Sequence, residues 1–511
     1  MLPPEVLLPV DALETKSIKI RPWHDTVSVE QAFSGLVAKE SGRNALSSSF
    51  VGAARLFLFL CGSKFKAELK YRADPVVVRS TEEKSNPLGT PWVHSAQLGG
   101  LTPSHSIYYR ITSKDGNDKT HTTPIYEFKS KAESNIVKNI RFAAFGDMGV
   151  NYTAQWTANQ LTQLATSKPQ LDFILHLGDL PQLDFILHLG DLAYTFGNWT
   201  KWNVWFDMME PVASRTPYMI VPGNRDEEHF LRERFSMPTP FNLNNENPSC
   251  LEKNQVYYDF DYGLVAVVTL PFRGAGSKSN YEGCPQLFEW FEQTLERYHN
   301  RIEDPQDPLR WLVVAIHTPF YSSSDGHPSA DRTYGGNKAL KDMIEHLFLK
   351  YKVDIGVFGD DHNYERTHPV FDDQVDSVGI TEKGSRVYNN PKSTMHFLIG
   401  TGGINLDGWL NPNHPPEWSA YREISHGFVL FDATSSSISG TFVRSSDGSR
   451  VDHFVIYKDS HGTCLENNWT VTGGLQLSQS ITFWVIAVIS GTAIFWFKKR
   501  GFSHIPFSKG R

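Results

Sequence analysis

A chain of 511 residues that is 40% apolar and 13% aromatic is long enough for two or three domains with a real core. Its 49 Lys+Arg against 56 Asp+Glu leave a formal net charge of −7 with no long basic run, which argues against nucleic acid as a partner. The 4 cysteines are few and none has zinc-finger spacing, although Cys250 and Cys284 flank one long loop and are placed to pair in an oxidising compartment.

Residues 1–134 carry no cluster of metal-ligand residue types. The opening MLPPEVLLPVDALE has neither the basic start nor the apolar core of a signal peptide, and Leu56–Cys61 reads as a core strand. From Ala67 onward the alternating runs AELKYR, PVVVRS, SIYYRITS and PIYEFKS, separated by Gly, Pro and Asn turns, predict β-hairpins. Next come continuous apolar runs: Ile140–Phe145, Leu183–Leu189, Tyr218–Val221, Leu264–Leu270, Trp311–Ile316, Val353–Phe358 and His396–Ile399. Runs without alternation suit strands covered on both faces. Thr153–Ala165, Gln286–His299 and Gly336–Lys350 show helical spacing between them, so an α/β domain is expected over 135–458, with its site beyond the strand C-termini. One strand is written twice. Pro169–Leu180 (PQLDFILHLGDL) is repeated without change as Pro181–Leu192, and one sheet position cannot hold both copies, so one is expected to loop out or lie at an edge.

Five of the strands end in polar motifs. They are Gly146-Asp147-Met148-Gly149, Gly190-Asp191-Leu192-Ala193-Tyr194, Gly223-Asn224-Arg225-Asp226, His317-Thr318-Pro319 and Gly359-Asp360-Asp361-His362-Asn363-Tyr364-Glu365-Arg366. Any one alone reads as a turn, a helix cap or a packed histidine. In series, each at a strand end, they bring Asp, Asn, His and Tyr to one point, a donor set suited to two metal ions and hydrolysis. Of the duplicated Gly-Asp pairs, only Asp191 is followed three residues later by a tyrosine, so Asp191 rather than Asp179 is expected in the cluster.

The order and identity of these motifs resemble the purple acid phosphatases, a branch of the metallophosphoesterases with the pattern GDxG, GDxxY, GNH[ED], VxxH and GHxH. The resemblance covers about Asn139–Lys458 and takes in Tyr257–Gly263, Trp418–Glu423 and Val451–Ile456. The tyrosine of GDxxY is its most specific element. It implies a two-sheet α/β/β/α metallophosphoesterase sandwich, preceded by a small all-β domain of fibronectin type in which Leu98–Pro103 leads to Tyr108-Tyr109-Arg110. It also implies that Asp147, Tyr194 and His362 bind Fe(III), that Asp191 bridges, and that Asn224 and His317 hold a second, divalent metal (Fe, Zn or Mn). A metal-bound hydroxide would then attack a phosphate monoester in line, an acid phosphatase reaction.

Two positions depart from that pattern. Arg225 stands where the family has a histidine that contacts phosphate and leaving group; arginine clamps phosphate oxygens but gives up no proton near neutral pH. His229 and His327 are the alternative proton sources. Asp360 stands where the family has a metal-binding histidine, and if it reaches, the site shifts toward Mn(II), Mg(II) or Fe(II) over Zn(II). A metal-binding relative of weak or lost activity, and a phosphodiesterase, therefore stay open as alternatives.

The C-terminal part reads as a stalk (459–480), a transmembrane helix (481–497) and a basic tail (498–511). Ile481–Phe497 carries no charge, has Trp484 and Trp496 near its ends, and is followed by Lys498-Lys499-Arg500. The expected topology is single-pass, with the tail cytoplasmic and the catalytic domain luminal or extracellular. The sequons at Asn151, Asn198 and Asn468 agree with that side.

Overall fold

The structure, a computed structural model, describes residues 137–166, 183–226 except 199, 231–238 except 236, 256–271, 285–326, 336–380 and 386–458, with parts of 55–131 ahead of them. The first duplicate copy, all four cysteines, His229, His327, Asn468 and the predicted stalk, span and tail lie outside the described residues. Among the described residues no helix is long and apolar enough to cross a membrane.

The α/β region builds two seven-stranded sheets. In chain order its elements are β1 (Asn139–Phe145), α1 (Tyr152–Thr166), β2 (Phe185–His188), α2 (Lys201–Ala213), β3 (Tyr218–Ile220), β4 (Tyr258–Tyr262), β5 (Val265–Thr269), α3 (Pro285–Glu303), β6 (Trp311–Ala315), α4 (Lys338–Lys350), β7 (Ile355–Phe358), β8 (Tyr364–Thr367), β9 (Val387–Asn389), β10 (Met395–Ile399), β11 (Ser419–Glu423), β12 (Gly427–Thr434), β13 (Ser437–Arg444) and β14 (Arg450–Tyr457). The first sheet runs β3-β2-β1-β12-β13-β14-β9 and the second β4-β5-β6-β7-β10-β8-β11. Both are mixed: β1, β2 and β3 pair in parallel, as do β5, β6, β7 and β10, with antiparallel strands beside them.

The apolar runs are continuous because each strand buries both faces. In β5, Val265 and Val267 enter the core between the sheets, while Ala266 and Val268 enter the core under the helices. In β6, Val313 and Leu312 divide the same way. Helix α3 covers the second sheet with Leu287, Phe291, Leu295, Tyr298 and Ile302, one face at helical spacing. Helix α4 adds Leu340, Ile344, Leu347 and Phe348, and its Asn337 cap accepts from the Leu340 N–H at 3.0 Å. Helix α1 buries Ala154, Ala158, Leu161 and Ala165 against the first sheet. The layers are thus helix, sheet, sheet, helix, as expected. The sequon residue Asn151 caps α1, its Oδ1 accepting from the Ala154 N–H at 3.0 Å.

The duplication resolves at β2, which is the second copy. Phe185–His188 lies parallel to Phe142–Phe145 and carries the chain to Asp191. Within that copy, Asp184 accepts the Arg141 N–H at 2.8 Å. Burial raises its carboxyl to about 6, against the lowering by that N–H and by nearby Lys129 and Arg141. The folded state therefore holds this proton more tightly than the unfolded chain does. Its contribution to stability is full below the unfolded carboxyl range near pH 4 and is lost as pH rises through about 6. Asp184→Asn is expected to remove a stability gain on acidification from pH 7 to 4 on the order of 2 kcal/mol, read as flatter denaturation midpoints over that range.

Ahead of the α/β region the described strands are antiparallel. Arg55–Leu60, Trp92–Gln97 and Val77–Thr81 form one three-stranded sheet, and Lys66–Leu69, Ile111–Lys114 and Thr120–Thr122 another. The run SIYYRITS, expected as one strand, is split: Ser106–Tyr109 pairs instead with Tyr126–Lys129. A small cluster of Ile107, Tyr109, Ile111, Tyr126 and Phe128 sits there, and the Tyr109 hydroxyl donates to the Ser214 carbonyl just past α2 at 2.6 Å.

Candidate metal centre

Five strand ends converge. β1, β2 and β3 of the first sheet lead into Asp147, Asp191 and Asn224; β6 and β7 of the second lead into His317 and Asp360. The loops that follow are held in unusual backbone shapes. Asp147, Asp191, Tyr194 and Asp360 have φ of 59°, 55°, 47° and 75°, a region that costs a non-glycine residue about 1–3 kcal/mol. Backbone bonds fix two of these loops to each other: Asp147 N–H to Gly190 O at 3.0 Å, Met148 N–H to Asp191 O at 3.1 Å and Gly149 N–H to Leu192 O at 2.9 Å. Glycine is required at 223, where a Cβ would lie 2.1 Å from Asp191 Oδ1.

Two groups of donor atoms result. In the first, the Tyr194 hydroxyl lies 3.0 Å from Asp147 Oδ1 and 3.0 Å from His362 Nε2, and the last two atoms are 3.6 Å apart. In the second, His317 Nε2 lies 3.4 Å from Asp191 Oδ1, 3.4 Å from Asn224 Oδ1 and 3.7 Å from Asp360 Oδ1. Metal–ligand bonds of about 2.0–2.2 Å place neighbouring donors of one shell about 3–3.6 Å apart, so both groups have the spacing of a coordination shell. Asp147, Asp191 and His317 each offer an atom within 4.8 Å of the others, a buried Asp/His group suited to a metal ion that spans both halves.

Each histidine is aimed by a backbone carbonyl. His317 Nδ1 lies 2.6 Å from Leu189 O, and His362 Nδ1 lies 2.9 Å from Asn405 O. A proton on Nδ1 satisfies each carbonyl and leaves Nε2 as the ligating atom. Asp147 divides its oxygens: Oδ1 faces Tyr194, and Oδ2 accepts the Asp360 N–H at 3.0 Å. Asp360 and Asp361 diverge, because Asp361 meets the Ser322 hydroxyl while Asp360 faces His317.

The electrostatics fit a cation. Burial drives the Asp147 carboxyl well above its ordinary value, and the charges of Asp191 and Asp360 add to this despite His317. Burial also leads the rise of the Tyr194 phenol, with Asp147 and Asp191 adding. At His317, burial lowers the imidazole, but Asp191, Asp147 and Asp360 outweigh it and raise it to about 9. A proton on His317 partly balances the carboxylates; a bound metal would do so more fully and displace it.

Every described site residue expected from the sequence is brought to this cluster except one. Arg225 is exposed and donates its backbone N–H to Asp191 Oδ1, at 2.7 Å, while its guanidinium carbon stands 5.6 Å from the Phe196 ring centroid. Sequence reasoning missed Asp226. Its Oδ2 accepts the N–H groups of Asp191 (2.8 Å) and Gly223 (3.0 Å), and its Oδ1 that of Leu192 (2.9 Å), clamping two ligand loops. Burial and the Asp191 charge raise it to about 7 against those N–H groups. Asp407 was missed too; it accepts the His362 N–H at 2.7 Å. Only Asp226, inside a motif, carried a sequence signal.

Comparison with known proteins agrees with this geometry. Residues 140–364 match the family model described as calcineurin-like phosphoesterase, and residues 393–453 match that described as iron/zinc purple acid phosphatase-like protein C. The probable inactive purple acid phosphatase 27 of Arabidopsis thaliana is 26% identical over 72% of this chain and 58% of its own length. Purple acid phosphatase 21 of the same plant is 28% identical over 66% of this chain and 64% of its own. The chain thus spans less than two thirds of the length of these relatives. The structure of a purple acid phosphatase from yellow lupin (Lupinus luteus) seeds shares the fold, with a TM-score of 0.56 and 22% identity over 80% of this chain and 75% of that one.

Proposed function

The chain being a purple acid phosphatase-like metallophosphoesterase, we propose that it hydrolyses phosphate monoesters at a dinuclear metal centre, as an acid phosphatase. The observation that carries this reading is the pair of donor groups, each at coordination spacing, joined through Asp191. Asp147, Tyr194 and His362 would hold Fe(III), for which carboxylate and phenolate are hard anionic donors. Asp191 would bridge, and Asn224, His317 and Asp360 would hold the divalent ion. When bound, the two ions supply an acidified water and neutralise phosphate charge.

The remaining steps belong to the chain's own residues. Leu189 and Asn405 present their carbonyls to hold the imidazoles in the ligating tautomer. Asp226 fixes the spacing of the Asp191 and Asn224 loops, and Asp360 adds an anionic oxygen beside His317, which favours Mn(II) or Fe(II) over Zn(II). Arg225, exposed beside the cluster, would have to turn its guanidinium in from Phe196 to clamp a phosphate oxygen pair, and it gives up no proton there. The N-terminal strands serve as scaffold, and Ile481–Phe497 anchors the protein with the catalytic domain on the luminal or extracellular side. That last element rests on the charge-free run and its basic flank.

The second reading is a metal-binding relative that has lost turnover, favoured by the loss of an ionisable proton donor at 225. Hydrolysis of 4-nitrophenyl phosphate between pH 4 and 7 separates the two, and its absence in metal-loaded protein would favour the second. Arg225→His is expected to raise kcat by on the order of 10²-fold, the usual yield of a positioned acid. An unchanged kcat would place the proton source elsewhere.

A further inference from the structure

Beside the donor cluster the ring of Phe196 stands out of the protein. Phe196 is 63% exposed, two residues after Tyr194, and its backbone is held at φ 47°. A bulky aromatic residue in that region is strained, and an exposed ring gains little from burial to offset it. The ring is nevertheless held in place. Its centroid lies 5.7 Å from that of Tyr194, 5.1 Å from Lys201 Nζ and 5.6 Å from Arg225 Cζ. Lys201 is itself tied down, donating to the Tyr194 carbonyl at 2.9 Å, and the Arg225 backbone is tied to Asp191 at 2.7 Å. Among the described residues no carboxylate pairs with the Arg225 guanidinium. The flanking Gly197 and Asn198 are exposed as well.

These contacts hold the Arg225 guanidinium and the Lys201 ammonium over a ring that still leaves most of its surface exposed, next to Tyr194. A phosphate ester bound beside Tyr194 would have its leaving group within reach of this ring, whose centroid lies 5.7 Å from that of Tyr194. We propose that Phe196 is a specificity-determining residue that binds the leaving group of planar aromatic phosphate esters by stacking, with Arg225 meeting the phosphate that joins ring to metal. The proposal rests on the phosphatase reading but concerns which ester is preferred. Stacking of this kind is worth about tenfold in binding.

The test uses the full-length, metal-loaded protein and two non-hydrolysable probes, phenylphosphonate and methylphosphonate, with calorimetric binding as the readout. Phenylphosphonate is expected to bind about tenfold more tightly than methylphosphonate. F196L, which keeps an apolar side chain without a π face, should bring that ratio close to one, and F196W should retain it. Equal binding of the two probes by the native protein, or a ratio unchanged in F196L, overturns the proposal. Parallel kinetics with phenyl phosphate and ethyl phosphate keep the two readings apart. Binding selectivity without hydrolysis of either ester leaves the subsite standing and sinks the phosphatase. Hydrolysis of both esters without selectivity does the reverse.

Discussion

His317→Ala is expected to leave a folded protein that retains the metal of the Asp147–Tyr194–His362 group and loses the second. Affinity for the second ion should fall at least on the order of 100-fold, the loss that removal of a mere supporting partner of a ligand produces, and hydrolysis should fall with it. The expectation follows from position. His317 Nε2 is the atom about which Asp191, Asn224 and Asp360 are arranged, at 3.4, 3.4 and 3.7 Å. Alanine leaves those oxygens without the imidazole nitrogen among them. Metal content per chain after dialysis reads the outcome, and full occupancy in the variant would show that His317 is not a ligand.

Arg366→Met should cost roughly 3–5 kcal/mol of stability, the range for breaking a buried ion pair. Arg366 on β8 grips Asp452 on β14 with two bonds, Nε to Oδ2 at 2.7 Å and a terminal nitrogen to Oδ1 at 3.0 Å, and its other terminal nitrogen meets the Tyr388 hydroxyl at 2.8 Å. The Tyr364 hydroxyl also donates to Asp452, at 2.9 Å. Because β8 belongs to the second sheet and β14 to the first, this buried group joins the two sheets. Methionine leaves the Asp452 carboxylate buried without its cation. Chemical denaturation measures the loss, and Arg366→Met combined with Asp452→Leu should recover much of it. A single variant as stable as the parent would show that water reaches this pair and replaces the arginine.

The donor cluster was legible because its members follow apolar strands closely: Asp147, Asp191, Asn224 and Asp360 come directly after the glycine that ends a strand, Tyr194 and His362 lie within the same two motifs, and His317 follows its strand without a glycine, so the cluster can be read from local sequence. The same holds for the strands buried on both faces, such as Val265–Thr269 and Trp311–Ala315. The strands β12 and β13 were not anticipated. In β13, Ser437, Ser439, Gly440 and Thr441 interrupt the apolar residues, and although β12 and β13 form a local hairpin, their place in the sheet is set by the pairing of β12 with the distant β1. That Asp360 rather than Asp361 stands at the site was read from the motif resemblance, and a backbone φ of 75° at 360 is what turns it there. The carbonyls of Leu189 and Asn405 carry no signal at all, because a backbone oxygen looks the same at every residue. The duplicated strand was readable for a different reason: only its second copy continues to Tyr194.

The central claim is that these residues hold a mixed pair of metals with Tyr194 on the iron. Metal analysis of the purified protein, together with its visible spectrum and that of Tyr194→Phe, tests it most directly. The account predicts iron and a second metal in each chain, and a tyrosinate–iron band that vanishes in Tyr194→Phe. Protein supplied with both metals that retains neither, or a band that survives in Tyr194→Phe, would contradict it.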